Sequence, residues 1–218
     1  MCGRYALYGP RKRSRIETEY FSSVDAFPPR WNVAPTDTMP ICRLRDGVPE
    51  LAAARWGLVT PNAQDSKGGA KKINAPAEQT MRWADYRVPY RAKRRCLVPA
   101  TGFYEWERVP DGKQPFLFIS PEHTLLAFAG LWEAWRQPDG GVLLSYTIMT
   151  TAPNDFVKRF HDRMPVVLDE ADCGRWLTED DPRDVLRACH NEALINYPVS
   201  RRVNSVKNDD ATLVNALT

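Results

Sequence analysis

Histidine is nearly absent from this chain, with three residues in 218: His123, His161 and His190. The five cysteines (Cys2, Cys42, Cys96, Cys173, Cys189) are odd in number and scattered, with no C-x-x-C pair and no histidine at finger spacing. That pattern argues against a disulfide framework and a structural zinc site, and no metal or cofactor is expected. No apolar run approaches the length of a bilayer span, and Met1-Cys2-Gly3-Arg4-Tyr5 has no apolar core of a secretory signal. The expected location is therefore the cytoplasm, at the nucleoid in a bacterium, with no membrane partner. Strong charge of one sign is missing too: the net charge is +3, with 43% hydrophobic and 26% charged residues. This balance excludes wholesale disorder and fits one domain spanning 1–218, with a monomer as the default.

Short strands joined by turns dominate the text. Ile41 to Arg45, Asp46-Gly47 and Val48 to Trp56 read as a hairpin, because Asp-Gly supplies the positive φ of a tight turn. Gly102–Val109 with Gln114–Ile119, and Leu125–Trp135 with Val142–Thr150, repeat the pattern around Pro-Asp-Gly turns. Helices are expected over Arg13–Phe21, Pro153–Phe160, Asp169–Leu177, Pro182–His190 and Asp209–Leu217, and twice within Ala77–Arg94 with a break before Pro89. Strands and helices mix without βαβ alternation. The fold class is α+β, a single domain with a mainly antiparallel, barrel-like β core and peripheral helices.

Charge is uneven along the chain. Asp65 to Arg95 holds nine Lys/Arg against three acids, with Trp83, Tyr86 and Tyr90 interleaved. Cations for phosphates and rings for bases make a single-strand binding surface. A solvated basic helix whose rings face the core has the same composition, and the segment alone favours that reading.

Cys2 is the sharpest chemical feature. Methionine aminopeptidases remove Met1 before a small residue, leaving an α-amine (pKa about 7.7–8) and a thiol (about 8.5) on adjacent carbons. Such a 1,2-aminothiol condenses with an aldehyde to an imine, and the thiol then closes intramolecularly to a thiazolidine. Gly3 allows close backbone approach and Arg4 can clamp a phosphate. His161 stands between a helix and the apolar run Val166-Val167-Leu168, where it can shuttle protons or be structural. Glu105, among Phe103, Tyr104 and Trp106, has surroundings that raise a carboxyl pKa; an exposed strand glutamate is the alternative. Asn74 offers an amide to orient a nucleophile, and is also a common turn residue.

Ordered blocks join these residues: Met1-Cys2-Gly3-Arg4-Tyr5, Arg30-Trp31-Asn32-Val33-Ala34-Pro35-Thr36, Arg55-Trp56-Gly57-Leu58-Val59 and Ile73-Asn74-Ala75 with Ala77-Glu78. They continue through Arg95-Cys96-Leu97-Val98-Pro99-Ala100, Gly102-Phe103-Tyr104-Glu105-Trp106, Thr147-Ile148-Met149-Thr150-Thr151 and His161-Asp162-Arg163-Met164-Pro165 to Asn208-Asp209. Over nearly the whole chain this text resembles the SOS response-associated peptidase (SRAP) family, whose members crosslink to abasic sites in DNA.

The resemblance implies a thiazolidine between Cys2 and the ring-opened sugar aldehyde of an abasic site in single-stranded DNA, shielding the lesion during the DNA damage response. By position it implies that Asn74 holds Cys2, Glu105 handles protons in imine formation and His161 assists sugar-ring opening. Arg4, Thr150 and Arg163 match DNA-contacting positions, and Trp56, Lys71 and Lys72 are taken with them as DNA-binding. Autopeptidase (hydrolase) and weak lyase activities are associated with the family. The chain departs from it at Pro76, where members often carry arginine, and at Thr60-Pro61-Asn62-Ala63, which lacks a tryptophan common there. Two other readings stay open: an N-terminal-cysteine amidohydrolase, since glutaminases also begin Cys-Gly, and a non-covalent single-stranded DNA-binding protein.

Overall fold

The structure, a computed structural model, describes residues 3–217. From its start the chain forms β1 (Tyr5–Leu7), α1 (Arg15–Tyr20) and β2 (Arg30–Val33), then the hairpin β3 (Thr38–Arg45) and β4 (Val48–Trp56). Asp46 (φ 53°) and Gly47 (φ 81°) supply the left-handed turn expected there. β5 (Asn74–Pro76), α2 (Ala84–Arg91) and β6 (Arg95–Ala100) follow, then the hairpins β7 (Gly102–Val109) with β8 (Gly112–Ile119) and β9 (Leu126–Arg136) with β10 (Val142–Thr151). The chain finishes with α3 (Asp155–Lys158), β11 (Met164–Pro165), α4 (Glu170–Thr178) and β12 (Ile195–Pro198).

Five strands close on themselves in the order β10-β4-β3-β6-β9, because β9 pairs back to β10 from Val142↔Arg136 to Ile148↔Gly130. Closure removes the open edges of this sheet. Only the β4–β10 seam of the ring is parallel, at Ser145↔Arg55 and Tyr146↔Trp56. A second sheet, β12-β8-β7-β1-β2, lies against the barrel. An aromatic cluster joins the two. Tyr5 meets Trp56 edge-on at 5.2 Å and shares a 2.6 Å hydroxyl hydrogen bond with Tyr146, which stacks on Trp56. The α+β, barrel-centred architecture with peripheral helices is the one expected. No helix among the described residues is long and apolar enough to cross a membrane.

Three helix expectations need correction. α2 runs through Pro89 without a break, because the proline forfeits one ladder bond while Ala92 N–H to Val88 and Arg94 N–H to Pro89 complete the helix end. Residues 182–190 have helical apolar spacing, yet only a 3-10 turn at Arg183–Val185 forms. Asn154 Nδ2 donates to the Cys189 carbonyl at 3.0 Å and diverts the backbone. The tail forms a 3-10 turn at Ala211–Val214, after which Leu217 N–H donates to Pro198 at 2.9 Å and holds the chain extended.

β4 ends at Gly57 (φ 121°), where an added Cβ would lie 2.6 Å from the Gly69 carbonyl oxygen. Backbone strain and overpacking act together here. Gly57→Ala is expected to cost about 2 kcal/mol or more and to lower Tm by roughly 4–8 °C. An unchanged thermal melt would show that this crossing is not tight.

Candidate functional site

β1 pairs with β7 at Tyr5↔Phe103, and the Tyr104 N–H donates to the Arg4 carbonyl at 3.0 Å. The described start of the chain therefore runs beside Tyr104, one residue before Glu105. Glu105 is 2% exposed, and its Oε1 has no hydrogen-bond partner among the described residues. Burial pushes this carboxyl from 4.5 up to about 7. Such a group holds and releases a proton near neutral pH.

His161 follows α3 and lines the same cleft as Glu105, a cavity of about 990 Å³ whose cations are Arg108, Lys113, Lys158 and Arg159. Its Nδ1 accepts the Arg163 backbone N–H at 2.9 Å, which leaves Nε2 to carry the proton of the neutral ring. Burial draws the His161 pKa down; the Asp162 carboxylate, 2.8 Å from Nδ1, opposes this from solvent and is outweighed. The two expected proton carriers thus share one cavity, both biased towards their neutral forms.

The remaining expected residues divide. Asn74, 5% exposed, stands on β5 in register with Ile148 of β10, and its carbonyl accepts the Tyr86 hydroxyl at 3.1 Å. It is not among the residues that line the cleft with Glu105 and His161. Arg163 donates to the Thr150 carbonyl at 2.6 Å. Arg4 reaches across β2 to Asn32 Oδ1 (3.2 Å) and the Val203 carbonyl (2.9 Å), and burial lowers its pKa. Lys72 is paired with Asp85 at 2.6 Å, and Lys71 is exposed. Cys2 lies outside the described residues.

Trp56 and Thr150 are corrections. Trp56 is fully buried and its indole N–H is spent on the Ile73 carbonyl at 2.9 Å, so it supports β5 from the core and presents no face to a base. Thr150 is fully buried too, and acts through Arg163. Glu78 is a residue that sequence reasoning missed. It accepts both terminal nitrogens of Arg163 at 2.9 Å, which holds the Glu78 carboxylate below its usual range. Arg163 thereby ties β10, the turn after β5 and the His161 loop together. The 85-residue separation of that pair left no local signal. Among the described residues no group of three or more His, Cys, Asp or Glu could hold a metal ion.

The family model described as SOS response associated peptidase (SRAP) matches residues 1–206. The chain belongs to the SRAP family. Among SRAP relatives, abasic site processing protein YoqW of Bacillus subtilis is 37% identical, over 98% of this chain and 99% of its own. Abasic site processing protein HMCES of Gallus gallus is 29% identical over 96% of this chain and 76% of its own. A crystal structure of a Bacteroides thetaiotaomicron protein superimposes with a TM-score of 0.82 over the full length of both chains at 19% identity, and so shares the fold.

The burial of Glu105 has a thermodynamic consequence. Because its pKa rises from 4.5 to about 7 on folding, the folded protein favours the protonated form. That preference is fully present below pH 4.5 and is lost as pH climbs to 7, above which an ionised carboxylate is buried. Wild type should therefore lose roughly 3 kcal/mol relative to Glu105→Gln between these limits. Urea unfolding of both proteins at pH 4.5 and pH 8 reads the difference; a gap that does not change with pH refutes the assigned environment.

Proposed function

We propose that this chain processes abasic sites by covalent capture in single-stranded DNA, as a monomer and through Cys2 freed of Met1. The observation that carries the reading is a buried Glu105 carboxyl, whose Oε1 has no hydrogen-bond partner among the described residues, sharing a cleft with His161 beside the described start of the chain. The names of the near-full-length SRAP relatives support abasic DNA as the substrate class.

The sequence begins with the sugar closed as a hemiacetal. His161 Nε2–H protonates the ring oxygen as the C1′–O4′ bond breaks, and loss of the hydroxyl proton leaves the C1′ aldehyde. The Cys2 amine adds to that carbon, and Glu105, half-protonated near pH 7, donates a proton so that the hydroxyl leaves as water and an imine remains. Attack of the thiol sulfur on the same carbon, with its proton passing to nitrogen, closes the five-membered ring. Asn74 orients Cys2. Arg4, Arg163, Lys71 and Lys72 hold the phosphates, with Thr150 fixing Arg163. Backbone contacts suffice, because a missing base has no edge to read. Hydrolysis of the Met1–Cys2 peptide bond by water would account for the peptidase in the family description, and loss of the C2′ proton of the imine, with cleavage of the C3′–O bond and departure of the 3′ phosphate, for weak lyase activity.

On a denaturing gel, wild type incubated with a single-stranded abasic oligonucleotide should give a shifted band, absent for Cys2→Ala and for protein that retains Met1. A band of equal intensity from Cys2→Ala would sink the covalent reading. Salt-sensitive binding without any band would favour the non-covalent alternative, and ammonia release from glutamine the amidohydrolase. Glu105→Gln should slow band formation by about tenfold or more.

A further inference from the structure

The basic-aromatic stretch from Asp65 to Arg95 is split by the fold. Tyr86 and Tyr90 are buried at 4% and 2%, whereas Trp83 is 52% exposed. Trp83 caps the start of α2, with its backbone N–H donated to the Gln79 carbonyl at 3.0 Å. Its indole leans on the Tyr86 ring at 5.8 Å, and the Tyr86 hydroxyl bonds the Asn74 carbonyl at 3.1 Å. The exposed ring is thus two contacts from the strand that carries Asn74, and the turn between them holds Glu78 and, through it, Arg163.

Charge around the ring is one-sided because the acids of this stretch are committed. Asp65 accepts the Lys67 backbone N–H, Glu78 binds Arg163 and Asp85 binds Lys72. Arg82, the exposed residue before the ring, and Arg87, whose backbone N–H donates to the Trp83 carbonyl at 2.9 Å and whose guanidinium donates only to the Met81 carbonyl, have no carboxylate within 4.0 Å among the described residues. A solvent-facing indole beside unneutralised cations is complementary to a polyanion that carries flat, unpaired rings. A partner protein burying an apolar patch would have to cover these cations as well.

We infer that Trp83 stacks on an unpaired base flanking the lesion, while Arg82 and Arg87 take the adjoining phosphates. This rests on the reading of the site as one for single-stranded DNA. It adds a specificity: the chain requires at least one intact base near the damaged sugar.

The test measures fluorescence anisotropy of two labelled probes, an undamaged single strand and a strand of equal length built wholly of baseless tetrahydrofuran sugars. Trp83→Ala should raise Kd for the base-bearing strand by roughly 5- to 150-fold and leave Kd for the baseless strand within about twofold. Trp83→Phe should recover most of the affinity. Trp83→Leu, which keeps the apolar contact with Tyr86 but has no π-face, should not; it covers the case in which alanine disturbs α2. Equal binding of both probes by wild type and Trp83→Leu overturns the proposal, as does an equal loss on both. Neither probe can form an adduct. Failure of the Cys2 gel assay would therefore strike the covalent mechanism and leave this measurement readable.

Discussion

Strand β10 hydrogen-bonds to β9 and β11 along one edge and to β4 and then β5 along the other, so one backbone sets the position of four segments far apart in sequence. Ile148 is opposite Gly130 and Asn74; Thr150 is opposite Pro76 and Pro165. This register brings the Asn74 strand and the loop holding His161 and Arg163 to one end of the barrel. The close approach has steric requirements. At Gly130 a Cβ would lie 2.8 Å from Cys96 Sγ and 3.0 Å from the Thr147 carbonyl oxygen, so a side chain there would prise β9 from β10 and displace the site with it. Trp56 belongs to the same constraint, since its indole N–H fixes the residue before Asn74.

Burial then does for the chemistry what register does for the geometry. Removing Glu105 and His161 from water disfavours the charged form of each, which moves the carboxyl up and the imidazole down. Burial thus favours the neutral form of both groups, so each holds a proton in the cleft they share. Arg163 is treated differently. Its guanidinium is held by the Glu78 carboxylate and the Thr150 carbonyl, so it is fixed while its backbone N–H donates to the His161 ring.

Much of this was legible in the sequence where the determinants are local. The hairpin of β3 and β4 follows from Asp46-Gly47, whose positive φ values are those such a turn demands. The family was readable from ordered blocks. What could not be read depends on contacts distant along the chain. Nothing near Pro182 announces that Asn154 will take the Cys189 carbonyl, and nothing near Glu78 announces Arg163. Trp56 misled for a related reason: a tryptophan beside arginine in a nucleic-acid context reads as a stacking ring, and only barrel closure shows that it faces Tyr5 and Tyr146.

The small net charge of +3 and the affinity for a polyanion are reconciled by where the acids go. Around the α4 end of the molecule, Asp172, Glu179 and Asp184 all bind Arg175, and Asp181 binds Arg183, so that region is neutralised pair by pair. In the stretch before β6 the acids are few and each is engaged, which leaves a surplus of cations there. Pro76, in β5, pairs with Thr150, whose carbonyl accepts from Arg163, and Lys71 and Arg82 flank the strand in sequence. Under the proposed function, a strand of DNA would be drawn to that surplus by counterion release irrespective of its bases. Recognition of the lesion would then fall to the narrower chemistry of a 1,2-aminothiol, which condenses with a free aldehyde and not with an intact sugar.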